Sequence, residues 1–247
     1  MVIVDAHCTI GHGRYVTLSA EALIAEMDEV GIAKAVVGPV HEHMTVYNRE
    51  GNDYILEAVR CYPERLVGFA TVNPWYGQVA VDELERALDA GLRGVTLNSS
   101  LQGFFIHDEL VHPIMRVAEE RRVPVYFHTA TPIHALPFQL AELAQCYPAV
   151  DVIMGHVAAA DYWTDVVPSA SLSNNIYVET SLRSGVGTIR QTVDALGANR
   201  VLFGSSAPES SMGVELAKIR RVGLAPWAEE LVLGRNMLRL LGEGTGT

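Results

Sequence analysis

The sequence predicts a (β/α)8 TIM barrel, and three observations carry that expectation. Apolar, often β-branched runs recur eight times along 247 residues, amphipathic segments lie between them, and several runs close on a histidine or another polar residue. Strands this apolar are covered on both faces, and strand–helix alternation implies parallel pairing through right-handed crossovers. Eight such units in about 250 residues match the usual size of the barrel. A doubly wound open sheet is the competing arrangement. It is disfavoured because no GxGxxG or P-loop pattern follows an early strand.

The elements follow in order. Val2–Val4 is the first predicted strand, after which Ser19 is placed to N-cap AEALIAEMDEV and Gly31 to end it. Ala35–Val37 precedes the helical stretch DYILEAVRC, and Leu66–Ala70 precedes VDELERALDA, which stops at Gly91. Gly94–Leu97, Val123–Phe127 and Val150–Met154 alternate with ELVHPIMRVAEERR and LPFQLAELAQCY. Ile176–Val178 and Val201–Phe203 complete the set, with helices around Thr188–Leu196 and in SMGVELAKIRRV. No linker or repeat interrupts the pattern, so residues 1–247 are expected to form one domain, with only GEGTGT loose at the end.

Composition narrows the function. A formal charge of −11 argues against a phosphate-backbone partner, since the densest basic cluster is Arg220–Arg221. With 49% hydrophobic residues a sizeable core can be buried, yet no apolar stretch approaches the roughly 18 residues of a membrane span. Met1 leads directly into a strand without a signal-like segment, so a cytoplasmic location is expected. The expected partner is a small-molecule substrate, with no nucleic acid and no membrane; homo-oligomerisation is left open. Cys8, Cys61 and Cys146 show no CxxC spacing, and alternation turns Cys8 away from the side that His7 faces.

In a barrel the βα loops gather at the C-terminal ends of the strands, which turns scattered positions into one site. His7, Asn73, Asn98, His128, His156, Glu179 and Ser206 all lie at or just past predicted strand ends. Three imidazoles so placed suit a metal or acid–base centre, because neutral imidazole is a good zinc ligand and three protein ligands leave an open position. His12, His41 and His43 are expected at the rim, with the HxH pair of the last two read as solvated or substrate-facing in a loop. Trp75, Phe104, Phe105 and Trp163 are candidates for pocket walls, with core packing as the alternative. Asp5 is expected to support the site from beneath.

These residues together resemble the amidohydrolase superfamily, in particular its amidohydrolase-related branch of metal-dependent hydrolases and aminocarboxymuconate-semialdehyde decarboxylase-like enzymes. VDAHCTIG is similar to the opening D-x-H-x-H-x-G of that family, PVYFHTA and VIMGH to its fifth- and sixth-strand histidine motifs, and RVLFGSSAP to its closing R-V-L-F-G-S-D-x-P. The resemblance implies a divalent metal such as zinc on His7, His128 and His156. It also exposes departures. Thr9 stands where the second N-terminal histidine belongs, Ser206 where the closing aspartate belongs, and Thr96 where several relatives carry lysine.

The expectation is therefore an enzyme acting on a small organic molecule by metal-assisted hydrolysis or decarboxylation at a degenerate metal site. The catalytic candidates are His128, His156, Glu179 and Ser206. Loss of the aspartate removes a group that handles a proton, which keeps a metal-free barrel enzyme using His/Glu acid–base chemistry, or a non-catalytic binding barrel, as alternatives.

Overall fold

The computed structural model describes residues 1–129, 133–158, 162–182 and 185–244. Eight parallel strands form the barrel: β1 (Val4–His12), β3 (Lys34–Pro39), β4 (Leu66–Gly68), β5 (Val95–Leu97), β6 (Val125–His128), β7 (Val152–Gly155), β8 (Ile176–Glu179) and β9 (Val201–Leu202). A two-residue strand, β2 (Thr17–Leu18), folds back antiparallel on the end of β1. The sheet closes at two seams. Ala70 N–H donates to Gly94 O at 2.8 Å between β4 and β5, while Ala6 N–H reaches Phe203 O at 2.9 Å and Ser206 N–H reaches His7 O at 2.9 Å.

The helices stand where the amphipathic segments place them. Ser19 caps Ala20–Val30 by accepting from Ala22 N–H, and Gly31 ends that helix in the left-handed conformation, φ 83°. The others include Asn48–Cys61, Gln78–Asp89, His112–Arg121, Pro137–Cys146, Val186–Leu196 and Met212–Val222. A layer of buried side chains between strands and helices, including Ile10, Leu23, Ile55, Leu84, Ile114, Leu140 and Ile219, makes up most of the core. A second, smaller cluster fills the barrel itself: Val4, Ala6, Val36, Val67, Phe69, Tyr126, Ile153 and Leu202.

Two features depart from the sequence reading. The first strand is longer than Val2–Val4 implies, running to His12 because β3, the 205–207 segment and β2 all supply it with ladder partners. Its register also shifts between Asp5 and Cys8 against β3. This bulge lets Val4 and Ala6 fill the barrel floor while His7, which strict alternation would turn the other way, stacks inside on Tyr126. Beyond the bulge, Cys8 and Ile10 face the outer core, as expected for a packed thiol. The second departure is the C-terminal segment. Pro226–Glu230, a wide helical turn at Leu231–Arg235, and Asn236–Leu240 run under the barrel, where Met237, Leu240 and Leu241 join the interior cluster.

Close approach inside so narrow a barrel depends on residues without side chains. A Cβ on Gly204 would collide with the Glu179 carboxyl group, and one on Gly155 with the Tyr126 hydroxyl and ring. Gly204→Ala and Gly155→Ala are each expected to cost about 1–3 kcal/mol, the usual range for overpacking. Gly187→Ala, on an exposed helical position with open space around it, should be neutral or slightly stabilising. Urea unfolding of the three variants checks this; equal stability for all three would show that the packing around Glu179 and Tyr126 yields freely.

Candidate metal centre

His128 is the last residue of β6 and His156 follows β7 directly, so both imidazoles stand at the top of the barrel as the spacing predicts. His7 reaches the same place from within β1. One ligand atom from each of the three lies within 4.8 Å of the others, a spacing that would allow the group to hold a metal ion. The His7 ring packs edge-on against His128 and His156 at centroid distances of 4.7 and 5.6 Å. His7 and His156 are buried and His128 is partly buried.

Beneath the imidazoles lies Glu179, fully buried at the end of β8. Its carboxyl group accepts the Tyr126 hydroxyl at 2.8 Å, the His156 backbone N–H at 3.0 Å and the Ser181 hydroxyl at 2.9 Å, with the Ser181 backbone N–H closing the set. Tyr126, which sequence inspection passes over as part of an apolar run, links this network to the triad because His7 stacks on it with centroids 4.4 Å apart and planes 15° apart. The signal was its parity: two residues before His128 on one strand, it faces the same side.

A chain of hydrogen bonds fixes His156 further. Its Nδ1 is 2.7 Å from the Ser181 hydroxyl, and its Nε2 is 2.9 Å from His128 Nδ1. By contrast, His7 Nε2 and His128 Nε2 are buried with no hydrogen-bond partner among the described residues. Such orphaned acceptors or donors are costly unless something binds them. His156 presents one further condition: both of its ring nitrogens are engaged, so serving as a ligand requires it to release His128 or Ser181.

The same burial sets protonation. Desolvation, then mutual repulsion with nearby imidazoles, holds His7 and His128 well below the ordinary imidazole range, and desolvation lowers His156 despite Glu179. All three are therefore neutral near pH 7, the state a metal ligand needs. Asp5 underlies the site as expected, its Oδ1 accepting the backbone N–H of His7 at 3.1 Å and of Ser205 at 2.9 Å. Burial pushes its carboxyl up to about 7 against those two bonds.

Backbone strain concentrates here as well. His156, Val157, Leu182 and Ser206 have φ of 67°, 46°, 60° and 57°, conformations rarely taken by residues with a Cβ. Ser206 donates its N–H to His7 O and its hydroxyl to Glu209 Oε2 at 3.4 Å. Thr9 and Thr96, at the other two altered positions, are buried.

Several candidates sit elsewhere. Asn73 and Asn98 are helix caps, accepting from Trp75 N–H and Leu101 N–H, which is what asparagine at a strand-to-helix junction does best. Phe104 belongs to the outer core, whereas Trp75, Phe105 and Trp163 are exposed. His41 and His43 lie on a short helix, His41–Thr45, and not in a loop; His41 faces Glu209 across 3.5 Å.

A family model described as amidohydrolase (Amidohydro_2) matches residues 11–242, leaving only His7 of the triad upstream of the match. The chain belongs to the amidohydrolase family. It is 23% identical over 212 residues to the gamma-resorcylate decarboxylase of a Polaromonas species, an alignment covering 65% of each chain, so about a third of that relative lies outside it. The 2,6-dihydroxybenzoate decarboxylase from Rhizobium superposes with a TM-score of 0.80 at 17% identity, covering 98% of both chains. The 5-carboxyvanillate decarboxylase from Novosphingobium aromaticivorans, solved with manganese and 4-hydroxy-3-methoxy-5-nitrobenzoic acid, gives 0.81 at 17% identity over 98% of this chain and 96% of that one. An uncharacterised barrel protein from Bordetella bronchiseptica gives 0.79 at 18%, over 98% and 99%. These three solved structures share the fold of this chain.

Linkage makes the buried groups measurable. Below pH 6.5 the unfolded chain protonates histidines that the native state keeps neutral, so their contribution is present above 6.5 and lost as pH falls. Asp5 runs the opposite way: its contribution is full below 3.8 and disappears as pH rises through about 7. Asp5→Asn retains an amide oxygen for the two backbone donors but removes this opposing slope. Melting temperature of the metal-free amidohydrolase should thus fall more steeply from pH 6.5 to 4.5 in the variant; parallel curves would show that Asp5 is not protonated by burial.

Proposed function

We propose that this amidohydrolase removes carbon dioxide from a small aromatic acid, of the hydroxybenzoate class on which the named relatives act, with a divalent ion held by His7, His128 and His156. The observation that carries the reading is the pair of buried, partnerless Nε2 atoms on His7 and His128 beside His156. Three imidazole nitrogens form a zinc-type donor set, while the manganese of the Novosphingobium relative makes that ion the second candidate. When bound, the ion would supply Lewis-acid stabilisation of negative charge on the substrate.

The altered positions discriminate between reactions. Hydrolysis needs a base to take a proton from attacking water, and Ser206 offers neither charge nor a suitable pKa. Decarboxylation needs no attacking water; it consumes a proton at carbon. The chain's own residues meet its other demands. Glu179 supports Tyr126 and His156, Tyr126 supports the His7 ring, and the narrow barrel keeps the reacting group above a floor of apolar side chains.

A second reading rests on one specific observation, the relay His128–His156–Ser181–Glu179, each link 2.9 Å or shorter. Such a relay could move a proton in a cyclisation, dehydration or isomerisation without metal. Here Glu179 positions His156 and does not itself meet substrate.

The purified protein is expected to retain much less than one ion per chain, because Thr9 and Ser206 are weak donors. Added zinc or manganese should then bind with one-to-one stoichiometry in titration calorimetry and support carbon dioxide release from 2,6-dihydroxybenzoate (gamma-resorcylate) or 5-carboxyvanillate. His128→Ala and His156→Ala should lower turnover by about 100-fold or more with the fold retained by circular dichroism. Turnover that survives chelation would select the relay reading, and ligand binding without turnover would remove both.

A further inference from the structure

His41 and Glu209 form a pair at the mouth of the barrel that belongs neither to the histidine triad nor to the motifs shared with the family. His41 opens the short helix after β3, and Glu209 follows the segment that closes the barrel after β9. β3 and that segment flank β1 on opposite sides, so the two residues converge over the strand that carries His7. His41 Nε2 lies 3.5 Å from Glu209 Oε1, while Glu209 Oε2 takes the Ser206 hydroxyl at 3.4 Å. A backbone bond from Glu209 N–H to Ser206 O, 2.8 Å, fixes the turn. The pair is 31% and 39% exposed, open enough to exchange protons with solvent. Its charges nonetheless reach the triad, those of His41 acting on His7 and His128 and those of Glu209 on His156.

We infer that His41 is the proton donor of the decarboxylation and Glu209 the residue that positions it, together replacing the carboxyl group lost where Ser206 stands. This rests on the decarboxylase reading above. Nε2 faces Glu209, which leaves Nδ1–H to donate. The ring carbon bearing the carboxylate takes that proton, using a π electron pair of the ring for the new C–H bond. The bond to the carboxylate then breaks, its electron pair restores the ring, and carbon dioxide leaves. His41, now neutral, regains a proton from water, so one proton is consumed for each carbon dioxide released. The groups acting on His41 favour the charged starting state: Glu209 first, with Glu42 beside it, raises the imidazole above its ordinary range, and His7 and His128 are neutral. Glu209 is held low in turn, chiefly by His41.

The test combines ring-nitrogen NMR of His41 with kinetics of metal-loaded wild type, His41→Gln, Glu209→Gln and Glu209→Asp on the two hydroxybenzoates named above, with circular dichroism on each. In wild type His41 should titrate above 6.5, and Glu209→Gln should bring it back toward that value. His41→Gln should lower kcat by about 100-fold or more with KM little changed, Glu209→Gln by about 10-fold, and Glu209→Asp should recover part of the loss. If His41 titrates at the ordinary imidazole value and ignores Glu209→Gln, the pair is refuted whatever the reaction. If the wild type decarboxylates and His41→Gln keeps its kcat, the donor assignment fails while the decarboxylase reading stands. If the loaded wild type releases no carbon dioxide from any of the acids, the reaction itself is wrong and the donor role falls with it, leaving the NMR to report on the pair alone.

Discussion

Everything at the top of this barrel depends on satisfying one buried carboxyl group. Glu179 is out of contact with water, and an unpaired polar group there would cost more than a typical hydrogen bond returns. Its partners come from three different elements: a tyrosine hydroxyl on β6, a backbone amide after β7, and the amide and hydroxyl of Ser181 after β8. Meeting its needs therefore fixes the relative height of three strands and the orientation of two of the three imidazoles. The left-handed turns at His156 and Leu182 are the local cost of aiming those donors inward, and Gly155 and Gly204 provide the space.

The result is a graded interior. Apolar side chains fill the floor, neutral imidazoles occupy the next level, and the His41–Glu209 pair, with His41 raised above its ordinary range by that carboxylate, sits at the mouth. Each level has a different capacity for charge, set by its distance from water. Neutral nitrogen donors belong where desolvation is strong, because burial there penalises an imidazolium by more than the nearby Glu179 carboxyl group offsets; a protonated imidazole belongs at the rim, where a carboxylate and solvent both stabilise it.

Much of this was legible in the sequence. Eight apolar runs gave the barrel, and His128, His156 and Glu179 stand at the strand ends that parity and spacing assign to them. His7 reached the site by a route the pattern did not reveal, since a bulge adds a residue without altering composition and reverses alternation beyond it. Asn73 and Asn98 misled for a physical reason: the side chain that suits a pocket at a strand end also suits the N-cap of the next helix. Tyr126 was hidden by its apolar neighbours. The His41–Glu209 pair joins residues 168 positions apart, a contact that only closure of the barrel creates.

That closure has a temporal side. β1 is hydrogen-bonded to residues 203–207, Gly234 packs against the backbone of Val2, and Met237, Leu240 and Leu241 complete the floor. β1, which is made before the other strands of the barrel, thus waits for the segments that follow β9 before its ladder is full. Pairings of such long sequence separation are slow to form, because the loop entropy is lost before the contact is gained. During synthesis β1 and β3 would present an open sheet edge carrying His7, a half-formed centre with nothing yet to stack beneath it. Assembly of the three imidazoles is in this sense a late event in the life of the chain, coupled to the sealing of the opposite end of the barrel.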